Sequence, residues 1–423
     1  TLHIKVIKAI TAYSELKNVV QNAPAGNEIQ INIGGNLTAS SGDTEIAVSG
    51  GKNLKLIPSL GGIYTIDADG NGRIFKVSGV GTELNLEDIK LEGGYDADET
   101  GGAVHVETGG ILKLTGKTVI TPSTGADINT PGKNDVYLAN GTSIKVDSNL
   151  TGSGTIARIT VADSQYHPTT QVLTASAGVT LAEETYKFAV TPQIVSGTPQ
   201  PWTVGGNGCL KQGRYTEVPH GQLEAYLANA SENEVNYIEV TGISPADLTG
   251  SYGSPPDPGA LGQKIKAADP KKVALKLPDG LSVTDMSACF SQCKNLVSLE
   301  NFPSGVTDMR ACFYDCKGLT TVPDIPSGVT DMELCFYNCK NLVTAPDIPA
   351  GVFAISKCFQ NCKKLQSVKM HCPYNSGIGN FNGAFSGCTS LPDGGIKVPS
   401  GQFETYKANA GTMGTTPDKF VGF

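Results

Sequence analysis

The sequence predicts a mainly β chain of two solenoids in tandem. A right-handed parallel β-helix comes first, then a repeat domain of short strands and helical turns. Three observations carry this. Short pieces that alternate apolar and polar residues, separated by Gly-Gly turns, fill the first half. A motif opening with Val-Thr-Asp-Met recurs every 23 residues in the second half. None of the 11 cysteines precedes Cys209 and the other ten lie between Cys289 and Cys388, so the two halves are built differently.

The 423 residues include 51 Gly and 24 Pro, with 17% charged and 39% hydrophobic residues. This is a folded composition, long enough for roughly two or three domains. No run approaches the roughly 18 apolar residues of a membrane-spanning helix. The formal net charge is −8, unevenly placed: residues 1–250 hold 16 Lys+Arg against 26 Asp+Glu, and residues 251–423 hold 16 against 14. With no dense basic patch, nucleic acid is not an expected partner. The chain opens at Thr1 without an initiator Met. That is read as a mature form from which a targeting segment has been removed.

In the first half the strand-like pieces include Ile29–Ile33, Leu54–Leu56, Leu84–Leu86, Val104–Val106, Leu112–Leu114 and Ile144–Val146. Turns at Gly34-Gly35, Gly50-Gly51, Gly61-Gly62, Gly93-Gly94, Gly101-Gly102 and Gly109-Gly110 separate such pieces. Strands this short bury a core only by stacking on neighbours, with two or three strands per coil. An antiparallel sandwich competes, supported by Asn71-Gly72 and Asn140-Gly141 as hairpin turns. The run Ile74–Val77, Leu84–Gly94 and Gly101–Val106, with Asn134–Leu138 as a closing coil, resembles the pectate-lyase-like β-helices of bacterial surface proteins. The resemblance spans about residues 10–195 and implies a fold, not an activity.

In the second half Val283-Thr284-Asp285-Met286 returns at Val306 and Val329, and a worn copy begins at Val352 with Ile355 in the Met column. Cys-Phe-x-x-Cys-x-x-Leu follows within the unit. The Phe column is Phe290, Phe313, Phe336, Phe359 and Phe385, and the Leu column is Leu296, Leu319, Leu342, Leu365 and Leu391. A fixed period with Leu, Phe and Cys columns is a leucine-rich-repeat signal. The motif Met309, Phe313, Cys316 and Leu319 resembles the BspA-like leucine-rich repeats of bacterial surface proteins. That resemblance implies a surface-exposed binding or adhesion role and supplies no catalytic residues.

Val218–Ala230 matches Val398–Ala410 at nine of thirteen positions, and each segment follows a Gly-Cys, at Gly208-Cys209 and Gly387-Cys388. Both are read as short helices that close an exposed core edge. The expected division is therefore a β-helix at 1–200, a degenerate repeat and capping segment at 201–235, an amino-terminal cap at 236–280, repeats at 281–395 and a carboxy-terminal cap at 396–423.

For the pairs Cys289/Cys293, Cys312/Cys316, Cys335/Cys339 and Cys358/Cys362, three readings stand. They are core-filling free thiols, disulfides within each pair, and zinc, for which only His371 is close. Asp67, Asp69 and Asn71, with Gly72 next, resemble the opening of a calcium loop, but Ser78 stands where a bidentate Glu belongs. A turn between coils competes, and no other cofactor is expected. A polysaccharide lyase needs clustered carboxylates and a basic side chain, whereas Lys52, Lys55, Arg73, Lys90 and Lys113 are scattered.

The expected function is a non-enzymatic, monomeric surface or secreted binding protein, an adhesin for protein or glycan partners, located outside the cell. The alternatives are a polysaccharide-binding or lyase-type β-helix and a structural surface-layer component. The expected binding face is the row of strands after each Cys-x-x-Leu, with Val297, Ser298, Thr320, Thr321, Val343, Thr344, Gln366 and Ser367 outward.

Overall fold

A computed structural model describes residues 7–98, 101–121, 133–377 and 379–423. The chain divides into two units, Thr1–Glu217 and Val218–Phe423.

The first unit is a stack of coils whose strands pair in parallel. One sheet orders Ile7–Ile10, Ile29–Ile33, Asn53–Pro58, Thr82–Glu87, Gly110–Gly116, Ile144–Leu150 and Leu173–Ala175. A second orders Ile46–Val48, Phe75–Val77, Val104–Val106, Val136–Leu138, Ala157–Val161 and Phe188–Val190. A third holds Leu37–Thr38, Tyr64–Asp67, Ile89–Glu92 and Val119–Ile120. The chain visits the first, third and second sheets in turn, so each complete coil supplies three strands. The column Ile29, Leu54, Leu84, Leu112, Ile144 and Leu173 sets coil lengths of 25, 30, 28, 32 and 29 residues. Alternation decides which side chains face in: Ile29, Ile31 and Ile33 are buried while Gln30 and Asn32 are not. Helix α1 (Tyr13–Asn22) lays Tyr13, Leu16 and Val20 onto the same core, and Lys52 Nζ donates to the Val20 and Gln21 carbonyls at its end.

The first unit runs past the expected boundary near Gln200. Trp202–Val204 and Leu210–Gln212 form an antiparallel pair whose Trp202, Val204 and Leu210 join the core. Cys209 forms a single β-bridge with Gln171 and so lies within this unit. The physical reason is the exposed edge of the last coil, which this hairpin covers with its apolar residues.

Val218–Ala230 also differs from expectation, because it opens the second unit. A 3-10 turn, His220–Gln222, leads into α2 (Leu223–Asn229), and the matching segment folds alike, with Ser400–Gln402 leading into α4 (Phe403–Ala408). Between them, Asn236–Thr241, Val273–Lys276 and Leu296–Glu300 pair in parallel, and α3 (Ala260–Ala267) packs on the first repeat.

Within the repeats, turns replace the expected helical turns. Ala288, Ala311, Leu334 and Lys357 take φ of 51°, 51°, 58° and 52°, and Gln292, Asp315, Asn338 and Asn361 take 61°, 57°, 61° and 64°. Left-handed backbone twice per unit prevents an α-helix. In the last unit Gly383 and Gly387 hold these two places. An L-residue pays about 1–2 kcal/mol for this conformation. Lys357 is exposed, and its side chain makes no hydrogen bond or ion pair among the described residues. Lys357→Gly is therefore expected to stabilise the unit by about 1 kcal/mol, read as a higher denaturant midpoint at unchanged slope; a lower midpoint would contradict the strain.

Candidate binding surface

The repeat motif explains itself residue by residue. Thr307 and Thr330 each donate both N–H and Oγ1 to the carbonyl of the Thr one unit earlier. Asp285, Asp308 and Asp331 accept, through Oδ1, the N–H two residues ahead at 2.8, 2.9 and 2.9 Å, which shapes the turn. Met286, Met309 and Met332 are fully buried. The five column phenylalanines form one stack, with successive ring centroids 5.7, 5.4, 5.5 and 5.7 Å apart. Each of Phe290, Phe313 and Phe336 also donates its N–H to the carbonyl of the first cysteine of the next unit.

All eleven cysteines are free, so the bridges Cys289–Cys293, Cys312–Cys316, Cys335–Cys339 and Cys358–Cys362 are not formed. The reversed backbone between the two thiols removes the helical turn on which bridging was reasoned. The second cysteine is already committed: Cys316, Cys339, Cys362 and Cys388 donate S–H to the carbonyls of Phe290, Phe313, Phe336 and Phe359 at 3.0, 3.1, 3.0 and 2.9 Å. Cys293 does the same to Gly262 at 3.2 Å, so α3 stands in for a preceding repeat. This is why Cys388 persists where Ala384 has replaced the first cysteine. Burial raises the Cys339 and Cys316 thiols well above the ordinary range, which keeps them protonated as donors. Cys339→Ala is expected to cost about 0.5–1.5 kcal/mol, because the Phe313 carbonyl loses the thiol donor and keeps only the Cys316 N–H, and Cys339→Ser, which keeps a donor, to cost less. Equal denaturation midpoints for the two variants would overturn this role.

The calcium candidate is a turn. Asp67 Oδ1 accepts the Asp69 N–H at 2.8 Å, and the Asn71 amide donates to the Ala68 carbonyl at 3.1 Å. Asp67 Oδ1 and the Asn71 amide nitrogen are thus engaged within the turn, and no group of three or more metal-holding side chains occurs among the described residues. The basic residues weighed for lyase chemistry are committed too. Lys55 pairs with Glu87, Arg73 with Glu45 and Asp96, Lys90 with Glu92 and Lys113 with Glu83.

The face after the Leu column is partly as expected. Leu296–Glu300 is a strand, and so are Val368–Lys369 and Ile396–Val398 in the last units, while the units between carry single parallel bridges, Ser298 to Thr321 and Thr344 to Ser367. Val297, Ser298, Thr320, Thr321, Val343, Thr344, Gln366 and Ser367 are all exposed or half-buried. A shallow depression on this face is lined by Thr320, Thr321, Val322, Asp324, Val343, Thr344, Ala345, Pro346 and Asp347. Sequence reasoning missed the group beside it. Asp347 meets His371 Nε2 at 3.0 Å and Lys369 Nζ at 3.6 Å, and the Phe423 ring lies 4.8 Å from Lys369 Nζ and edge-on to His371. The 23-residue spacing of Asp324 and Asp347 was the available signal.

Residues 275–392 match the family described as the BspA type leucine rich repeat region, in six copies. Residues 275–392 form a BspA-type leucine-rich repeat region. The BspA-type match starts inside the segment expected as a cap and counts one copy more than the five-member columns. Leucine-rich repeats of this kind are generally non-enzymatic and act as protein-binding surfaces, typically on bacterial surface proteins. A solved leucine-rich repeat protein from Eubacterium ventriosum ATCC 27560 is 14% identical, with 79% of this chain and 82% of that chain covered, at a TM-score of 0.26. That level of likeness carries no argument about fold. No curated protein matches the chain. No helix among the described residues is long and apolar enough to cross a membrane.

Proposed function

We propose that the chain is a non-enzymatic binding protein of a bacterial surface or its surroundings, an adhesin that engages protein or glycan partners through the BspA-type repeats. The observation that carries the reading is the exposed Thr/Ser/Asp face held by a rigid stack. A buried phenylalanine ladder and main-chain bonds between units fix the positions of Thr320, Thr321, Thr344 and Asp347. Rigid presentation lowers the ordering cost of binding. The pairing of every lyase-candidate base with a carboxylate or carbonyl further favours binding over eliminative chemistry. The test is saturable retention of host matrix proteins and glycans on the immobilised chain, lost when the repeats are unfolded. No retention across the panel, together with normal attachment by cells lacking the chain, would exclude an adhesin.

A further inference from the structure

The ladder joining the repeats is open at the middle junction. Between the first and second units Thr320 N–H donates to Val297 O at 2.9 Å and Leu299 N–H to Thr321 O at 3.4 Å. Between the third and fourth, Gln366 N–H donates to Val343 O at 2.8 Å and Ala345 N–H to Ser367 O at 3.0 Å. The corresponding pairs at the middle junction would join Val343 N–H to Thr320 O and Val322 N–H to Thr344 O. Neither is made, and among the described residues no other acceptor takes these two N–H groups. The depression described above lies at this junction and is lined by all four residues.

The gap is confined to this face. Behind it, Phe313 N–H still donates to Cys335 O at 2.8 Å, Thr330 N–H to Thr307 O at 2.9 Å, and the Phe313 and Phe336 rings stack at 5.4 Å. The repeats therefore stay one ladder spacing apart. An added peptide strand needs about 4.8 Å on each side of itself and does not enter such a gap. A hydroxyl group does. It donates and accepts at once, so it satisfies an N–H of one repeat and a C=O of the other.

The geometry points to a carbohydrate site: the open junction binds adjacent hydroxyls of a neutral sugar, with the N–H groups of Val322 and Val343 and the C=O groups of Thr320 and Thr344 as partners. Asp324 and Asp347 on the lining supply carboxylate acceptors, and half-buried Val322 and exposed Val343 supply a small apolar surface for the C–H face of a ring. This deepens the binding role proposed above and rests on it.

The experiment titrates the full chain with maltose, cellobiose, lactose and mannobiose by calorimetry and by competition against any panel partner. At least one disaccharide is expected to bind saturably. Thr344→Arg, which fills the depression, is expected to weaken it about tenfold or more. Val343→Pro removes one free N–H that no protein acceptor uses, and should weaken the same sugar while circular dichroism stays native. Absence of binding by all four sugars, or undiminished binding by a folded Thr344→Arg variant, would overturn the site. Retention of a protein partner that no sugar displaces would overturn the site and leave the binding role standing. Failure of every protein and every sugar would remove both.

Discussion

Phe336→Ala should lower the stability of the second unit by about 4 kcal/mol, in the range set by removing a buried phenylalanine. Phe336 is fully buried and lies between Phe313 and Phe359, at 5.4 and 5.5 Å with interplanar angles of 6° and 7°. Truncation opens a cavity in a stack held by main-chain bonds on each side, so the neighbours have little freedom to close it. It also removes two ring–ring contacts, each worth about 0.5–1.5 kcal/mol. For a domain of this size the thermal midpoint should fall by about 10 °C. Phe290, which stacks on Phe313 alone among the column rings, should cost less on truncation. Differential scanning calorimetry distinguishes the cases. Equal losses at Phe290 and Phe336 would mean that the ladder does not share its load along the stack.

The second large effect is expected at Gly262 in α3. A Cβ placed there would run into the Cys289 carbonyl oxygen and stand 2.9 Å from Pro258 Cβ. The close approach has a purpose: Gly259 N–H donates to that same carbonyl at 3.1 Å, and the Gly262 carbonyl accepts the Cys293 thiol. Helix propensity alone favours alanine over glycine by about 1 kcal/mol. Overpacking against fixed backbone opposes it, at about 1–3 kcal/mol or more. Because the clash is with main chain rather than with a flexible side chain, the steric cost wins. Gly262→Ala should therefore destabilise the second unit by about 2 kcal/mol net of propensity. A denaturant midpoint at or above that of the parent chain would show that α3 can lift off the first repeat without penalty.

Much of the architecture was legible because repeats are written linearly. The Phe and Leu columns locate the inward faces directly, and alternation in Ile29–Ile33 or Leu112–Leu114 assigns the coil strands. The turn geometry was also written, less plainly: Asp315, Asn338, Asn361 and Gly387 occupy one column, and these residue types tolerate left-handed backbone. Reading the four-residue cysteine spacing as one helical turn hid that signal. The thiol–carbonyl bonds were not legible, since each joins residues 26, 29 or 31 apart whose approach exists only once the turns are set. Trp202 and Leu210 follow no period, so the true end of the first unit escaped the columns. The junction at Val322 and Val343 is invisible for a different reason: it consists of bonds that two near-identical repeats fail to make.

Trp202 has one more consequence. It is the chain's single tryptophan, it is 6% exposed, and it belongs to the first unit. The protein thus carries a natural optical label on one of its two parts. Emission excited at the red edge of indole absorption follows that part alone, while calorimetry registers both. Two melting profiles can be drawn from one unmodified sample, and any lag between them measures how far the halves unfold on their own schedules.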